Sequence, residues 1–192
     1  MILAYAVVFL IVLALLLRRD LSVLGRIPYQ GGWWLVMIVV GLFVLQATLV
    51  LYVPGKTTFQ MIVLISSQLA LVWLLFLNRH IPGARLFALG IVLNVTVMAA
   101  NGGWMPVTPE TYHFVHPDRT VEPYTRPPSS KNIVLPRSET NLWILSDIIP
   151  FTLLWRRTAV SGGDLLLIVG AAQFIFQTTS GKKGQPFEWT DS

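Results

Sequence analysis

Five apolar stretches, Met1–Leu17, Trp33–Val53, Phe59–Leu77, Pro82–Ala100 and Leu165–Thr179, occupy much of this 192-residue chain. Apart from Arg85 near the start of the fourth, none carries Asp, Glu, Lys or Arg. A helix gains about 1.5 Å per residue, so roughly 20 apolar residues cross a hydrocarbon core about 30 Å thick. The first four stretches have that length. The expectation is an all-α membrane protein, a single polytopic domain over residues 1–192 built as a bundle of five transmembrane helices plus one short interfacial or re-entrant helix. The helices are expected at about 1–17, 33–53, 59–77, 82–100 and 163–179, with a polar outer loop over 101–141, a short apolar segment over 142–155 and a polar tail over 180–192.

Composition supports this placement. Hydrophobic residues make up 54% of the chain and charged residues 12%, where soluble domains carry about 25% charge. The formal charge of +5 does not point to nucleic acid, because the basic residues sit at segment ends, where they anchor and orient helices. The lipid bilayer and other membrane subunits are the expected partners. With no cysteine, disulfide frameworks, thiolate metal sites, iron–sulfur ligation and thiol catalysis are excluded. No cofactor is expected.

Basic residues predict the orientation, since cytoplasmic loops collect Lys and Arg. The first connection holds Arg18, Arg19 and Arg26 against Asp20, the second only Lys56, and the third Arg79 and Arg85. This places the N-terminus outside and the end of the fourth helix outside. The first stretch reads as a retained helix, because Arg18-Arg19 follow the apolar run and no small-residue cleavage pattern is present. Asn101–Asn141 is rich in proline and polar residues, which predicts an extended, irregular outer loop. Leu142–Trp155 is too short for a standard span and carries Asp147 and Pro150, so an interfacial or re-entrant helix is favoured over a crossing. In that arrangement Lys182-Lys183 mark a cytoplasmic C-terminus.

Gln46, Gln68 and Asn94 are amides within three consecutive helices, and alternating chain direction brings them within about 5 Å of one depth. Ser66, Ser67 and Thr48 lie near that level. Polar groups in lipid must face inward and bond to one another, so interhelical bonding is expected before any ligand site. Trp33, Trp34, Trp104, Trp143, Trp155, Tyr29 and Tyr52 fall at segment ends, as interfacial anchors do. His113 and His116, with Glu110 and Asp118, match no strong metal-binding spacing, and no metal site is expected.

Ser161-Gly162-Gly163-Asp164 fits a capping box opening the last helix. Asp147 lies among apolar residues, where a carboxylate must be exposed, hydrogen-bonded or protonated. Two carboxylates near one membrane face, Asp147 and Asp164, are weak candidates for an acid–base dyad.

The strings Asn101-Gly102-Gly103-Trp104-Met105-Pro106-Val107, Leu145-Ser146-Asp147-Ile148-Ile149-Pro150 and Ser161-Gly162-Gly163-Asp164 resemble a bacterial membrane-protein family, domain of unknown function 5317. The resemblance is carried by Leu86–Gly170; the first three helices share only hydropathy, and Arg156-Arg157 and the polar tail depart from it. It implies a multi-pass protein of the bacterial cytoplasmic membrane and no particular activity. Physically, Gly102 suits a left-handed helix end and Gly103 a turn before Pro106. The leading functional expectation is a non-enzymatic structural or accessory subunit docked in a larger bacterial membrane complex. The alternatives are an outer-face hydrolase using Asp147 and Asp164, or a small-molecule carrier.

Overall fold

The computed structural model describes residues 2–153 and 156–180. Five long helices form within the five apolar stretches: α1 (Ile2–Leu16), α2 (Gly32–Tyr52), α3 (Thr58–Leu77), α4 (Ala84–Ala100) and α6 (Gly162–Thr178). Two of them, α2 and α3, are long and apolar enough to cross a membrane, whereas the other three are shorter apolar helices. Residues between α4 and α6 form β1 (Met105–Val107), α5 (Pro109–Val115), β2 (Asn132–Val134), β3 (Ile149–Leu153) and β4 (Arg156–Val160). The fold is therefore mostly helical with a small β component.

The helices pack as a row, α2 on α3, α3 on α4, α4 on α6 and α6 on α1. The closest crossing is α4 against α6. A Cβ on Gly90 would lie 2.6 Å from the Gly163 carbonyl oxygen, and one on Gly83 would lie 2.0 Å from that of Gly170. These pairs have opposite order along the two helices, so α4 and α6 are antiparallel and touch backbone to backbone, as small residues permit. Leu10 and Ala14 of α1 pack with Ala171 and Ile175 of α6, and Arg19 donates to the Ser180 hydroxyl at 3.3 Å. The ends of α1 and α6 therefore share one face with Arg26, Arg79 and Arg85.

The opposite end carries a cap. Asn101 ties its two ends: Nδ2 donates to the Asn141 carbonyl at 2.9 Å, and Oδ1 accepts from the Asn141 amide at 3.0 Å. Gly102 and Gly103 have φ of 72° and 87°, and a Cβ on Gly103 would meet Met61 at 1.9 Å. The chain then forms β1, which pairs parallel with β2, Met105 opposite Asn132. Beneath this pair Trp104, Met105 and Ile133 close over Leu64, Val97 and Met98. Arg126 straps the cap to α2, whose last carbonyls lack intrahelical donors. Its guanidinium donates to Val53 at 3.0 Å and Gly55 at 2.6 Å, and to Val50 at 2.5 Å. Gln60 also donates to Leu49 and Val53.

Three expectations are corrected here. The expected segment Leu142–Trp155 is not a helix over its described residues, 142–153: it holds a short 3-10 turn, Trp143–Leu145, then the first strand of a hairpin in which Ile149 opposes Val160. Pro150 lacks the donor a helix interior needs, and the β-branched Ile148-Ile149 favour extended backbone. The hairpin leads into α6, whose start lies against the middle of α4: Ser161 donates to Asn94 at 2.8 Å and Gly163 abuts Gly90. The 101–141 segment is not irregular throughout. Thr108 caps α5 by accepting from the Thr111 amide at 3.2 Å, and Pro109 occupies its first turn. Trp104 is not an interfacial anchor but 3% exposed, with the Arg126 guanidinium 4.8 Å from its ring centre. Trp155 and the tail residues 181–192, Lys182-Lys183 included, lie outside the described residues.

Candidate functional site

Under the cap lies a cavity of about 360 Å³, lined from every long helix and from the cap. Gln46, Gln68 and Asn94 from the bundle share it with Asp147 and Asp164, and with Lys131, Asn132 and His116 from the cap. Residues far apart in sequence thus meet between the cap and the middle of the helices.

Asp164 is held by its helix start. Ser161 accepts from the Asp164 amide at 3.1 Å, and the Asp164 Oδ2 accepts from the Ser161 amide at 3.3 Å, a complete capping box. The other oxygen, Oδ1, accepts from Asn94 Nδ2 at 3.0 Å. Asn94 is itself fixed, because Ser161 Oγ donates to its Oδ1 at 2.8 Å. Gly163 allows this approach: a Cβ there would sit 2.2 Å from Asn94 Oδ1. Asp164 thus accepts from the Ser161 amide and from Asn94 at the start of α6.

Asp147 is in a different environment. It is 5% exposed, its amide donates to the Pro106 carbonyl at 3.3 Å, and Oδ2 accepts from Asn132 Nδ2 at 2.8 Å. Oδ1 is buried with no hydrogen-bond partner among the described residues. Burial pushes its pKa from the ordinary 3.8 up to about 6; nearby Lys131 pulls it down and the neighbouring Asp164 charge pushes it up. Each aspartate is thus steadied by one asparagine amide.

Deeper in the bundle, Gln46 Oε1 accepts from Ser67 Oγ and from Gln68 Nε2 at 3.3 Å. Asn94 does not join this pair but turns to Ser161 and Asp164. His116 lines the cavity with its ring centre 5.0 Å from that of Tyr112, and its pKa is lowered by burial and by Arg119. His113 and Glu110 are exposed on α5. Among the described residues, no group of three or more His, Asp or Glu side chains is arranged to hold a metal ion. Met105 and Pro106 form the strand that backs Asp147, and Pro150 lies in the hairpin opposite Ala159. Sequence reasoning missed Asn132 and Lys131. The Ser130-x-Asn132 turn, in which Ser130 Oγ accepts from the Asn132 amide at 3.0 Å, is the local signal for Asn132.

A capped helical bundle with a carboxylate-bearing cavity beneath the cap is the class these features define. The chain belongs to the family described as a family of unknown function, DUF5317, which it matches over residues 26–176. It is also similar to an uncharacterised protein of Thermotoga maritima, with 34% identity over 116 residues, 59% of this chain. The match covers 62% of that relative's length, so the chain spans less than two thirds of it. No solved structure matches.

Proposed function

We propose that this protein is a multi-pass membrane hydrolase whose acid–base pair is Asp147 and Asp164, acting at the outer face of a bacterial cytoplasmic membrane. The observation that carries the proposal is the shared cavity, in which a buried carboxyl with a vacant oxygen faces a second carboxylate held by a helix start. Burial raises the Asp147 carboxyl toward the range in which a carboxylic acid can give up a proton in catalysis. The lengths of α2 and α3 support two spans, and the reading takes the shorter apolar helices α1, α4 and α6 as further spans.

The chemistry balances without another group. Asp164, ionised, removes a proton from water as the water oxygen bonds to a carbonyl carbon. Asp147, protonated, gives its proton to the carbonyl oxygen, leaving a tetrahedral diol. The Asp164 proton then passes to the leaving atom as its bond to carbon breaks. One diol hydroxyl returns a proton to Asp147, restoring both groups. Asn94 and Asn132 position the pair. The leading alternative, an accessory subunit, draws support from α2, which buries only Val39 and leaves Trp33, Trp34 and Met37 exposed to lipid or a partner.

The test uses the purified protein in vesicles with a bacterial membrane extract in ¹⁸O-water. The wild type should place ¹⁸O in a newly formed carboxylate product. Asp147→Asn and Asp164→Asn should each lower that label about 100-fold or more, the usual scale of acid–base catalysis, while retaining the wild-type circular dichroism and elution volume. Equal labelling by folded variants rejects the proposal.

A further inference from the structure

The end of the bundle away from the cap carries Arg18, Arg19, Arg26, Arg79 and Arg85, drawn from the α1–α2 connection, the α3–α4 connection and the start of α4. Packing joins these segments into one surface. Asn78 accepts from the Gln30 amide at 2.7 Å and donates to the Gln30 carbonyl at 3.0 Å. Ile27 packs with Ile81 and Ala84, and Arg19 reaches Ser180 just past α6. Arg18, Arg26, Arg79 and Arg85 are exposed. The one carboxylate in these connections is Asp20, which accepts from the Ser22 amide at 3.0 Å and opens the short 3-10 helix Leu21–Arg26. The cap differs, because its basic residues are interleaved with Glu110, Asp118, Glu122 and Glu139.

The wall beside the arginines is aromatic. Trp73 and Phe76, both exposed on α3, stack with ring centres 5.9 Å apart, and the Arg79 guanidinium lies 5.1 Å from the Phe76 ring centre. The three form a ladder that climbs α3 and ends in a charge just beyond it. On α2, Trp33 and Trp34 stand exposed in the first turn, with Tyr29 exposed shortly before. Tryptophan and tyrosine gather at the depth of lipid head groups. A soluble anion would meet the charges and leave the rings unmatched. A phospholipid answers both, its phosphodiester to guanidinium and its acyl chain to the rings.

We infer that this end is a binding surface for anionic phospholipids, with head-group phosphodiesters on the exposed arginines and an acyl chain beside Trp73 and Phe76. The inference rests on the membrane placement proposed above and is independent of the acid–base pair.

The experiment uses the full chain in vesicles of equal parts phosphatidylglycerol and phosphatidylcholine, extracted in mild detergent for native mass spectrometry of the retained lipids. The wild type should retain phosphatidylglycerol over phosphatidylcholine by about tenfold or more, since each arginine near an anionic surface is worth about fivefold. The combined variant Arg26→Gln, Arg79→Gln and Arg85→Gln should bring that ratio close to one. Arg26→Lys, Arg79→Lys and Arg85→Lys together keep the charge and should keep most of the preference, which separates lost charge from a lost fold. Arg119→Gln, Arg137→Gln and Arg156→Gln together remove the same charge from the cap and should leave the ratio unchanged. A wild-type ratio near one, or an equal fall in both glutamine variants, overturns the inference. So does displacement of the lipid by excess inorganic phosphate, which would make a soluble anion the ligand. Retained phosphatidylglycerol with no ¹⁸O-carboxylate product leaves this inference standing and sinks the hydrolase. Protein left in the supernatant when the vesicles are pelleted overturns the membrane placement and this inference together.

Discussion

Gly163→Ala tests how tightly the site is tied to the α4–α6 crossing. The added methyl would sit 2.2 Å from Asn94 Oδ1 and 2.7 Å from the Gly90 carbonyl oxygen, well inside ordinary contact. Either the helices separate or Asn94 leaves its place. Forcing a methyl into a packed interface costs about 1–3 kcal/mol. Displacing Asn94 also removes its bonds to Ser161 and Asp164, at about 0.6 kcal/mol apiece on average for side chains between membrane helices. The expected loss is about 2–4 kcal/mol. Gly162→Ala is the control, because nothing lies within 4 Å of a Cβ at that position. Reversible unfolding in mixed detergent micelles, followed by circular dichroism, measures both. Gly163→Ala should unfold at markedly lower denaturant while Gly162→Ala stays within about 0.5 kcal/mol of wild type. Equal stability of the two variants would refute the close crossing and the placement of Asn94 that depends on it.

Asp147 predicts a pH dependence with a definite sign. Its carboxyl is raised from 3.8 in the free chain to about 6 in the fold, so between those values the native state holds more protons and stability falls as pH rises. The loss is absent below about pH 4 and complete above about pH 6, at up to about 3 kcal/mol; thermal unfolding of Asp147→Asn should flatten that window. Arg126→Ala should free the carbonyls of Val50, Val53 and Gly55 and cost about 2–3 kcal/mol, read as faster hydrogen exchange across 126–134, with Arg126→Lys restoring only part. The absence of cysteine allows single-cysteine labelling: Ser129→Cys should react with an impermeant maleimide from outside intact cells, and Arg26→Cys only after permeabilisation. Reversed accessibility would place the cap in the cytoplasm.

The helices were legible because apolar length alone requires them in lipid, and their bounds shift by only a residue or two. Capping residues were legible for the same local reason, as Ser161 and Asp164 show. The hairpin was misread because hydropathy does not separate a short buried helix from a strand, although Pro150 and the β-branched Ile148-Ile149 carried the signal. The short helix α5 was hidden by the proline density around it, yet Thr108-Pro109 is itself a helix-start signal. The cavity was only partly visible. Asp147, Asp164 and Asn94 stand out as polar groups in apolar surroundings, whereas Asn132 and Lys131 sit in a polar stretch and are brought to Asp147 only by the β1–β2 pairing. Nothing in the linear chain specifies that pairing.

The carbon-13 carboxyl titration of Asp147, in wild type and in Asp164→Asn, is the most direct test that two carboxylates share one site. With Asp164 neutralised, the midpoint of Asp147 should fall below about 6 yet stay above its ordinary 3.8, because burial, the largest cause of the rise, remains while the neighbouring like charge is gone. A midpoint that does not move, or an Asp147 that titrates as an exposed carboxyl in both proteins, would separate the two groups and remove the acid–base pair.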